Sequence, residues 1–202
     1  MLHIARWRAL KMSFTNSESL RNQFLIATPS LNDGIFKSSV AYICEHDEGG
    51  AMGIIINRPS ELKFNDLIRE FDAIETSDLN TQPVMVGGPV GLERGFVLHE
   101  SSPNSDDWLS TLHITKDVAL TGSKDILKAL GKGQGPDKFL FVLGYAGWSA
   151  GQLEQEIMEN AWLTSPASPE ILFSTPYHLR AEAAAKLLGV DLSALAIQPG
   201  NA

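Results

Sequence analysis

The chain has few cysteines, few basic residues and no long uncharged stretch. Its 202 residues include a single cysteine, so neither an internal disulfide nor a CxxC metal or redox motif can form. Sixteen Lys and Arg stand against 24 Asp and Glu, a balance that disfavours a broad nucleic-acid-binding surface. The longest stretch without a charged residue is Phe139–Leu153, which is shorter than the roughly 20 apolar residues of a membrane-spanning helix. The composition therefore predicts a globular cytoplasmic protein with no membrane span.

The first residues differ from the rest of the chain in charge. The segment MLHIARWRALKM carries Arg6, Arg8 and Lys11 and no acidic residue, and the polar run that follows lacks the apolar core of a signal peptide. We interpret it as an upstream start or a loosely attached helical extension. The predicted organisation is a basic and polar extension over residues 1–19, followed by one α/β domain over residues 20–202.

Short apolar runs separated by Gly and Pro predict many strands, with helices added late in the chain. The predicted strands are Phe24–Ala27, Val40–Glu45, Ile54–Asn57, Val84–Gly87, Gly95–His99, Leu112–Ile114, Val118–Leu120, Phe139–Leu143 and Ile171–Phe173. The predicted helices are Phe64–Phe71, Ser123–Leu130, Ser149 to about Ala161, and Pro176 to Leu188, and residues 74–83 are a predicted loop. This mixed order indicates an α/β or α+β sandwich and not a regular doubly wound fold.

The segment Gly147-Trp148-Ser149-Ala150-Gly151 has the GxSxG pattern of a nucleophilic serine, and Glu170 and His178 follow in the chain order of a catalytic acid and base. Three residues separate the predicted strand from the motif, which relaxes the tight elbow that such a serine needs. Ser149 and Gln152 also form an S-x-x-Q capping box, in which the hydroxyl accepts a hydrogen bond from a helix N–H. We favour the helix cap and keep the nucleophile as the alternative.

Cys44 and His46 end a predicted strand two residues apart, and residues at that spacing share a strand face. Together they are weak candidates for a reactive thiol–imidazole pair. They are also weak candidates for a metal site completed by His99, at the end of another predicted strand. The favoured interpretation is a buried thiol with a histidine at the edge of the strand, because free cysteine is among the most buried residue types. We therefore predict no metal and no cofactor.

Strand ends also supply weak candidates for ligand binding. Gly87 and Gly88 lie in a turn that lacks the lysine and the spacing of a phosphate loop, and glycines of this kind usually allow a turn or a close backbone approach. Asn57 and Arg58 follow another strand and offer an amide and a guanidinium. If a ligand site exists, these four residues and His99 are where we expect it, because polar groups at strand ends and loops often carry function.

Several segments, taken together and in order, resemble the YqgE/AlgH family of small bacterial proteins. They are Phe24-Leu-Ile-Ala-Thr-Pro-Ser-Leu31, Val40-Ala-Tyr-Ile-Cys-Glu-His46, Gly50-Ala-Met-Gly-Ile-Ile-Ile-Asn-Arg-Pro59, Val84-Met-Val-Gly-Gly-Pro-Val-Gly91, Arg94-Gly-Phe-Val-Leu-His99, Leu143-Gly-Tyr-Ala-Gly-Trp148, Gly151-Gln-Leu-Glu154 and Asn160-Ala-Trp-Leu163. The resemblance covers about residues 20–190. It implies an α/β (mixed α+β) protein whose bifurcated β-sheet folds into a pseudo-barrel with flanking helices.

The chain departs from the family pattern at two places. The last helix of the family usually begins Arg-Trp, whereas Arg180 is followed here by Ala181, and the usual Gly-His-Ala ending is Gly200-Asn201-Ala202. A family pocket built on either missing residue would be altered in this chain.

The resemblance implies no particular reaction, although the AlgH name associates the family with control of transcription. The sequence has no helix-turn-helix and no basic recognition helix, so any such control is expected to be indirect, without direct nucleic-acid binding. We therefore expect a non-catalytic binding or regulatory protein whose partner is an unidentified protein or small ligand. A small hydrolase or thiol enzyme that uses Ser149 or Cys44 with His46 is the alternative.

Overall fold

The computed structural model describes residues 19–32, 34–64, 83–101 and 108–192. Within these segments the chain forms ten strands: β1 Gln23–Ala27, β2 Val40–Asp47, β3 Gly50–Ile55, β4 Pro59–Lys63, β5 Pro83–Val86, β6 Val90–Glu100, β7 Thr111–His113, β8 Val118–Thr121, β9 Phe139–Ser149 and β10 Trp162–Pro166. The α-helices of the same segments are α1 Lys124–Gly131, α2 Gln152–Met158 and α3 Arg180–Lys186. Their strand order is β10-β1-β2-β3-β9-β6-β8-β7, with β4 attached through β5 to β9.

Strand β9 is where the sheet divides into two branches. Its first half, Phe139–Leu143, pairs antiparallel with β6 on one side and parallel with β5 on the other. Its second half, Ala146–Ser149, pairs with β3 instead. Between the halves, Gly144 has φ +70°, a backbone conformation that suits glycine. One strand can therefore serve both branches because its backbone changes direction at this glycine.

The main apolar core lies where the curled sheet faces itself. It contains alternate residues of several strands, among them Phe24, Tyr42, Ile54, Leu98 and Val142, all essentially inaccessible to solvent. Consecutive strand residues point to opposite faces, so their neighbours, such as Leu25 and Ile43, pack in a second cluster beneath α2. Helix α1 covers a third cluster on the other branch. These features confirm the predicted mixed α+β fold with a bifurcated, barrel-like sheet.

Arg21 connects one branch of the sheet to the other. It lies just before β1, and its Nε donates to the carbonyl oxygen of Ile114 at 3.1 Å while Nη2 donates to that of His113. Both carbonyls are at the end of β7, the last strand of the other branch. The guanidinium therefore satisfies backbone acceptors at an edge that has no further strand partner among the described residues.

Two sequence predictions of secondary structure are wrong. Ile171–Phe173 is not a strand but part of a π-helical turn, Glu170–Ser174, in which the consecutive residues Ile171 and Leu172 are both buried. A three-residue apolar run does not distinguish the two conformations. The predicted helix from Ser149 begins only at Gln152, because β9 continues through Ser149.

Other predictions lie wholly or mostly outside the described residues. Only Phe64 of the predicted Phe64–Phe71 helix is described, and of the predicted loop over residues 74–83 only Pro83, which begins β5. The N-terminal extension is described only at Ser19, and Asn201 is not described. Two observed strands, β4 and β10, were not predicted, and β4 is almost entirely exposed, so its sequence carries no apolar alternation.

Candidate functional site

A β-bulge separates Cys44 from His46. The pairing of β2 with β3 shifts register between Ile43 and Glu45, so the strict alternation of side chains is interrupted there. Cys44 consequently packs in the main core beside Tyr42, whereas His46 points to the opposite face and contacts Glu154 of α2. The expected Cys44–His46 pair on one strand face is therefore not formed.

Cys44 is placed as a core residue. It is fully buried, and its Sγ donates to the carbonyl oxygen of Tyr42 at 3.6 Å. Burial, with a smaller contribution from the nearby Glu45 carboxylate, raises the pKa of the Cys44 thiol far above its usual range. Because the thiolate is the nucleophile, this environment suppresses the reactivity of the sulfur.

We expect iodoacetamide to alkylate Cys44 in the native protein at least about a hundredfold more slowly than in the urea-unfolded protein, since reaction requires opening of the core. Mass spectrometry gives both rates, and the single cysteine makes the assignment unambiguous. Comparable rates in the two states would show instead that the native thiol is accessible.

His46 joins the start of the described chain to α2. Its Nδ1 accepts a hydrogen bond from the backbone N–H of Leu20 at 2.8 Å, so the ring proton is on Nε2, which donates to Oε1 of Glu154 at 2.8 Å. The His46 carbonyl oxygen also accepts from the Ser19 hydroxyl at 2.9 Å. Both ring nitrogens are thus engaged in structural contacts, which leaves no lone pair for general-base chemistry.

His99 lies apart from this region. It is fully buried, its Nε2 is 2.9 Å from Oγ1 of Thr121, and its ring packs edge-on against Trp108 with centroids 5.1 Å apart. No group of three His, Cys, Asp or Glu side chains comes together as metal ligands in the described segments.

Ser149 is bound to Gln152 in a way that differs from the predicted cap. Gln152 Oε1 accepts hydrogen bonds from both the backbone N–H and the hydroxyl of Ser149, each at 3.0 Å. The residue before α2 is Gly151 with φ +76°, and it has no side chain to cap the helix. The hydroxyl therefore stabilises the strand-to-helix turn without capping a helix N–H. His178 packs against the Tyr177 ring and makes no hydrogen bond to Ser149 among the described contacts.

Gly87 and Gly88 allow β5 to turn into β6 directly over β9. A Cβ at Gly87 would lie 2.4 Å from the Gly144 carbonyl oxygen, and one at Gly88 would lie 2.1 Å from the Tyr145 carbonyl carbon. Both contacts are with backbone, which cannot move aside as a flexible side chain can. Their role in the fold is thus a close backbone approach.

Asn57 and Arg58 hold the segment before β2. Asn57 Oδ1 accepts from the N–H of Val40 at 2.8 Å and its Nδ2 donates to the Ser38 carbonyl oxygen at 2.9 Å, while Arg58 donates to the carbonyl oxygen of Lys37. These side chains border a shallow cavity of about 460 Å³. Asn57 is thus committed to backbone contacts.

The five predicted ligand residues do not form one cluster. Arg58 lies beside the Gly87 turn, because its carbonyl oxygen accepts from the N–H of Val86 at 2.8 Å. The Gly87 N–H, however, binds Leu143 of β9, whereas His99 is opposite Phe139. Leu143 and Phe139 are four residues apart on β9, which corresponds to about 13 Å along a strand. His99 therefore lies in a different region from Gly87.

The described part of the chain also forms an apolar groove that the sequence did not indicate. Its volume is about 670 Å³, and it lies between the bulged start of β6, the end of the β7–β8 hairpin and the start of α1. Its apolar wall includes Met52, Phe96, Leu112, Leu120, Leu127 and Leu143. Met52, Phe96 and Leu112 also pack on the main core, whereas Leu127 belongs to the cluster under α1, so the groove opens where two cores reach the surface.

Four charged residues line this apolar groove, two acidic and two basic. Glu45 is opposite Met52 in the β2–β3 register, and Lys124 lies one helical turn before Leu127. The Cys44 bulge is what turns Glu45 toward the groove. Glu93 and Arg94 lie on the rim, with Arg94 Nε 3.9 Å from Glu93 Oε1 and both side chains exposed.

Asp125 fixes the start of α1 beside the groove. Its carboxylate accepts hydrogen bonds from the Ser123 hydroxyl at 2.5 Å, from the N–H of Leu109 at 2.8 Å and from the N–H of Ile126 at 3.0 Å. Partial burial acts to raise the pKa of Asp125, but these hydrogen bonds outweigh it and lower the pKa below its usual value. The oxygens of the ionised carboxylate are thus bonded to Ser123, Leu109 and Ile126.

Arg180 is a buried charged residue outside the groove. It is 4% exposed, and it donates to the carbonyl oxygens of Thr175, at 3.0 Å, and Ile56. Burial lowers the pKa of Arg180 to about 10. The following residue, Ala181, which departs from the family pattern, packs at the margin of the main core.

The fold places the chain in a class of small α+β proteins with a bifurcated, barrel-like sheet. The sequence model of the AlgH-like family matches residues 24–193, and the chain belongs to this family. It is 48% identical over 188 residues to a UPF0301 protein of Methylococcus capsulatus, covering 93% of this chain and 98% of that protein. It is 50% identical to a UPF0301 protein of Chromobacterium violaceum, covering 92% and 99%.

Solved structures show the same fold. The solution structure of the AlgH protein from Pseudomonas aeruginosa matches with a TM-score of 0.74 and 45% identity, over 95% of this chain and all of that one. A crystal structure from Corynebacterium diphtheriae matches with a TM-score of 0.68 at 19% identity, over 91% of this chain and 94% of that one, a likeness of fold alone. No helix in the described segments is long and apolar enough to cross a membrane.

Proposed function

We propose that this protein is a non-catalytic binding or regulatory protein of the cytoplasm and that its ligand enters the groove between β6, β7–β8 and α1. The observation that carries the proposal is the groove itself: about 670 Å³ of mainly apolar surface with a few charged groups at its margins. Ligand sites are typically concave, about 300–1,000 Å³, and apolar with a few polar groups. The groove does not bring together a nucleophile, a base and an acid. This arrangement favours binding over catalysis.

The surroundings of Cys44, His46 and Ser149 favour a binding protein over the enzyme alternative. Cys44 is fully buried, and both ring nitrogens of His46 are occupied by structural hydrogen bonds. Ser149 contacts Gln152, with no histidine in hydrogen-bond reach among the described residues. A nucleophile needs an adjacent base or a depressed pKa, whereas burial raises the pKa of the Cys44 thiol.

An effect on transcription, if this protein has one, would act through the groove or through a protein partner. The chain carries a formal net charge of -8, and binding to the phosphate backbone requires clustered Lys and Arg. A change in the structure of the groove when a ligand binds would account for such an effect more directly than contact with DNA.

The substitution Leu112→Trp tests the groove directly. Leu112 is half-buried in β7 and lines the groove, so the larger ring can project into the cavity without overfilling the core. We expect this substitution to abolish binding of a neutral probe, octanamide, measured by NMR titration. A buried CH₂ contributes about 0.8 kcal/mol, which places the parent affinity for an octyl chain in the millimolar range that NMR detects.

The matched control is Leu62→Trp, at a residue of β4 that is 48% exposed and lies off the groove. It adds the same ring and should leave octanamide binding unchanged, with circular dichroism confirming that both variants are folded. Failure of the parent protein to bind octanamide, or equal losses in the two variants, would contradict the proposed site.

A further inference from the structure

Two walls of the groove come from different branches of the sheet. Glu45 and Met52 belong to β2 and β3 of one branch, whereas Leu112 and Leu120 belong to the β7–β8 hairpin of the other. In the strand order, β9, β6 and β8 lie between β3 and β7. The sheet itself thus connects the two walls through three intervening strands, so the width of the groove depends on contacts that join the walls across the opening.

Residues 19–22 reach from one wall to the other, and we refer to them as the strap. On one side the strap is bound to β2. The N–H of Leu20 donates to Nδ1 of His46 at 2.8 Å, and the N–H of Asn22 donates to the carbonyl oxygen of Ile43 at 2.9 Å. These two acceptors flank the part of β2 that borders the groove, so the strap is anchored directly behind that wall.

On the other side, the side chain of Arg21 reaches the opposite wall. Its Nε donates to the carbonyl oxygen of Ile114 at 3.1 Å, and its Nη2 donates to that of His113. Leu112, which lines the groove, directly precedes these two residues in the chain. A guanidinium can bind two acceptors at once because its donors form a rigid, planar fork. Arg21 therefore completes a connection between the two walls.

We infer that Arg21 is a positioning residue that determines which size of ligand the groove accepts. It holds the β7–β8 hairpin at a fixed separation from β2 and β3, and so limits the thickness of an apolar ligand. Arg21 is not one of the lining residues, so it acts by placing Leu112 and Leu120 relative to Met52. This inference rests on the proposed binding function and adds the residue that sets the size specificity of the same site.

Two neutral probes of different thickness test the inference: octanamide, which has a slender chain, and adamantane-1-carboxamide, which has a wide cage. The substitution Arg21→Ala frees the hairpin from the strap. We expect it to raise the ratio of the adamantane-1-carboxamide affinity to the octanamide affinity about tenfold, the smaller end of the discrimination that one methylene group produces in an apolar pocket. NMR titration gives both affinities, and a loss of stability alone would not change their ratio.

The matched control is Arg58→Ala. Arg58 also donates to a backbone carbonyl oxygen, that of Lys37, but it does not line the groove and lies off the strap. This substitution removes the same side chain and a contact of the same kind, so it should leave the affinity ratio unchanged. Circular dichroism confirms that both variants are folded.

A distance measurement checks the position of the walls without a ligand. Spin labels at Glu48→Cys and Lys116→Cys, both exposed, report the separation of the β2–β3 and β7–β8 turns, and the native Cys44 is buried. We expect Arg21→Ala to lengthen and broaden the distribution of distances between the labels. An unchanged distribution, or an affinity ratio that stays as in the parent protein, would overturn the inference and leave the groove as a binding site. No binding of either probe to the parent protein would overturn the proposed function and the inference with it.

Discussion

Replacing Glu156 by alanine is expected to lower the free energy of unfolding by about 3 kcal/mol, because two buried indole N–H groups lose a charged acceptor at once. Glu156 Oε2 accepts from Nε1 of Trp148 at 2.9 Å and from Nε1 of Trp162 at 2.8 Å. Three strands separate β9 from β10 in the sheet, yet the two rings meet edge-on with centroids 6.1 Å apart. The carboxylate therefore fastens distant strands to α2.

Urea unfolding followed by circular dichroism measures this loss independently of the altered tryptophan emission. The control is Glu159→Ala at the end of the same helix. Glu159 is exposed and contacts only Gln155, at 2.9 Å, among the described residues, so its removal should change stability by less than about 0.5 kcal/mol. Glu156→Gln should fall between the two, since one amide oxygen can still accept from both indoles. Equal effects of the two alanine substitutions would show that the indole contacts contribute little.

Gly88→Ala is expected to cost at least about 3 kcal/mol of stability, because the added Cβ meets backbone that cannot yield. That carbon would lie 2.1 Å from the Tyr145 carbonyl carbon, at the turn where β5 leads into β6 over β9. The consequence would extend to the groove, since β6 supplies Phe96 and its neighbours.

Gly133→Ala separates crowding from backbone strain. Gly133 also has a positive φ, +67°, but nothing lies within 4 Å of the position of its Cβ. This substitution should cost only about 1 kcal/mol, the penalty of a left-handed conformation in an L-residue. Thermal unfolding of both variants provides the comparison. If Gly88→Ala costs no more than Gly133→Ala, the turn can move away from β9, and the close approach is not required for folding.

The sequence allowed the fold to be predicted because its signals are local and agree with one another. Most strands coincide with short apolar runs, as Phe24–Ala27 does within β1 and Phe139–Leu143, which is followed by Gly144, does within β9. The Gly87–Gly88 turn was expected to permit a close backbone approach, and the contacts with Gly144 and Tyr145 are of that kind. The resemblance supplied what local patterns do not, the division of the sheet into two branches.

The site could not be predicted in the same way, for two physical reasons. The alternation of side chains along β2 predicted that Cys44 and His46 share one face of the strand. A bulge inserts an extra residue there and reverses the face of every residue after it. No residue type in the segment signals this bulge. The groove, in turn, combines apolar residues far apart in the chain, such as Met52, Leu112 and Leu127. Each of these residues alone is indistinguishable in sequence from an ordinary core residue.

The hydrogen bonds of the candidate catalytic and ligand-binding residues explain why these residues are better understood as structural. His46, Ser149 and Asn57 each direct their polar atoms at neighbouring backbone or at one nearby side chain. The half-buried polar groups of His46 and Asn57 need such partners, since an unpaired one costs about 1–3 kcal/mol. The groove is different because its wall is apolar and open, with charges confined to its margins.

The most direct test of the binding account is amide chemical-shift mapping of the isotope-labelled protein titrated with octanamide. The account predicts that the largest shifts occur around Phe96, Leu112, Leu120 and the start of α1, while the amides of Cys44, Ser149 and Asn57 change little. Shifts centred on Asn57, Arg58 and Gly87, or no saturable shift at any position, would contradict it.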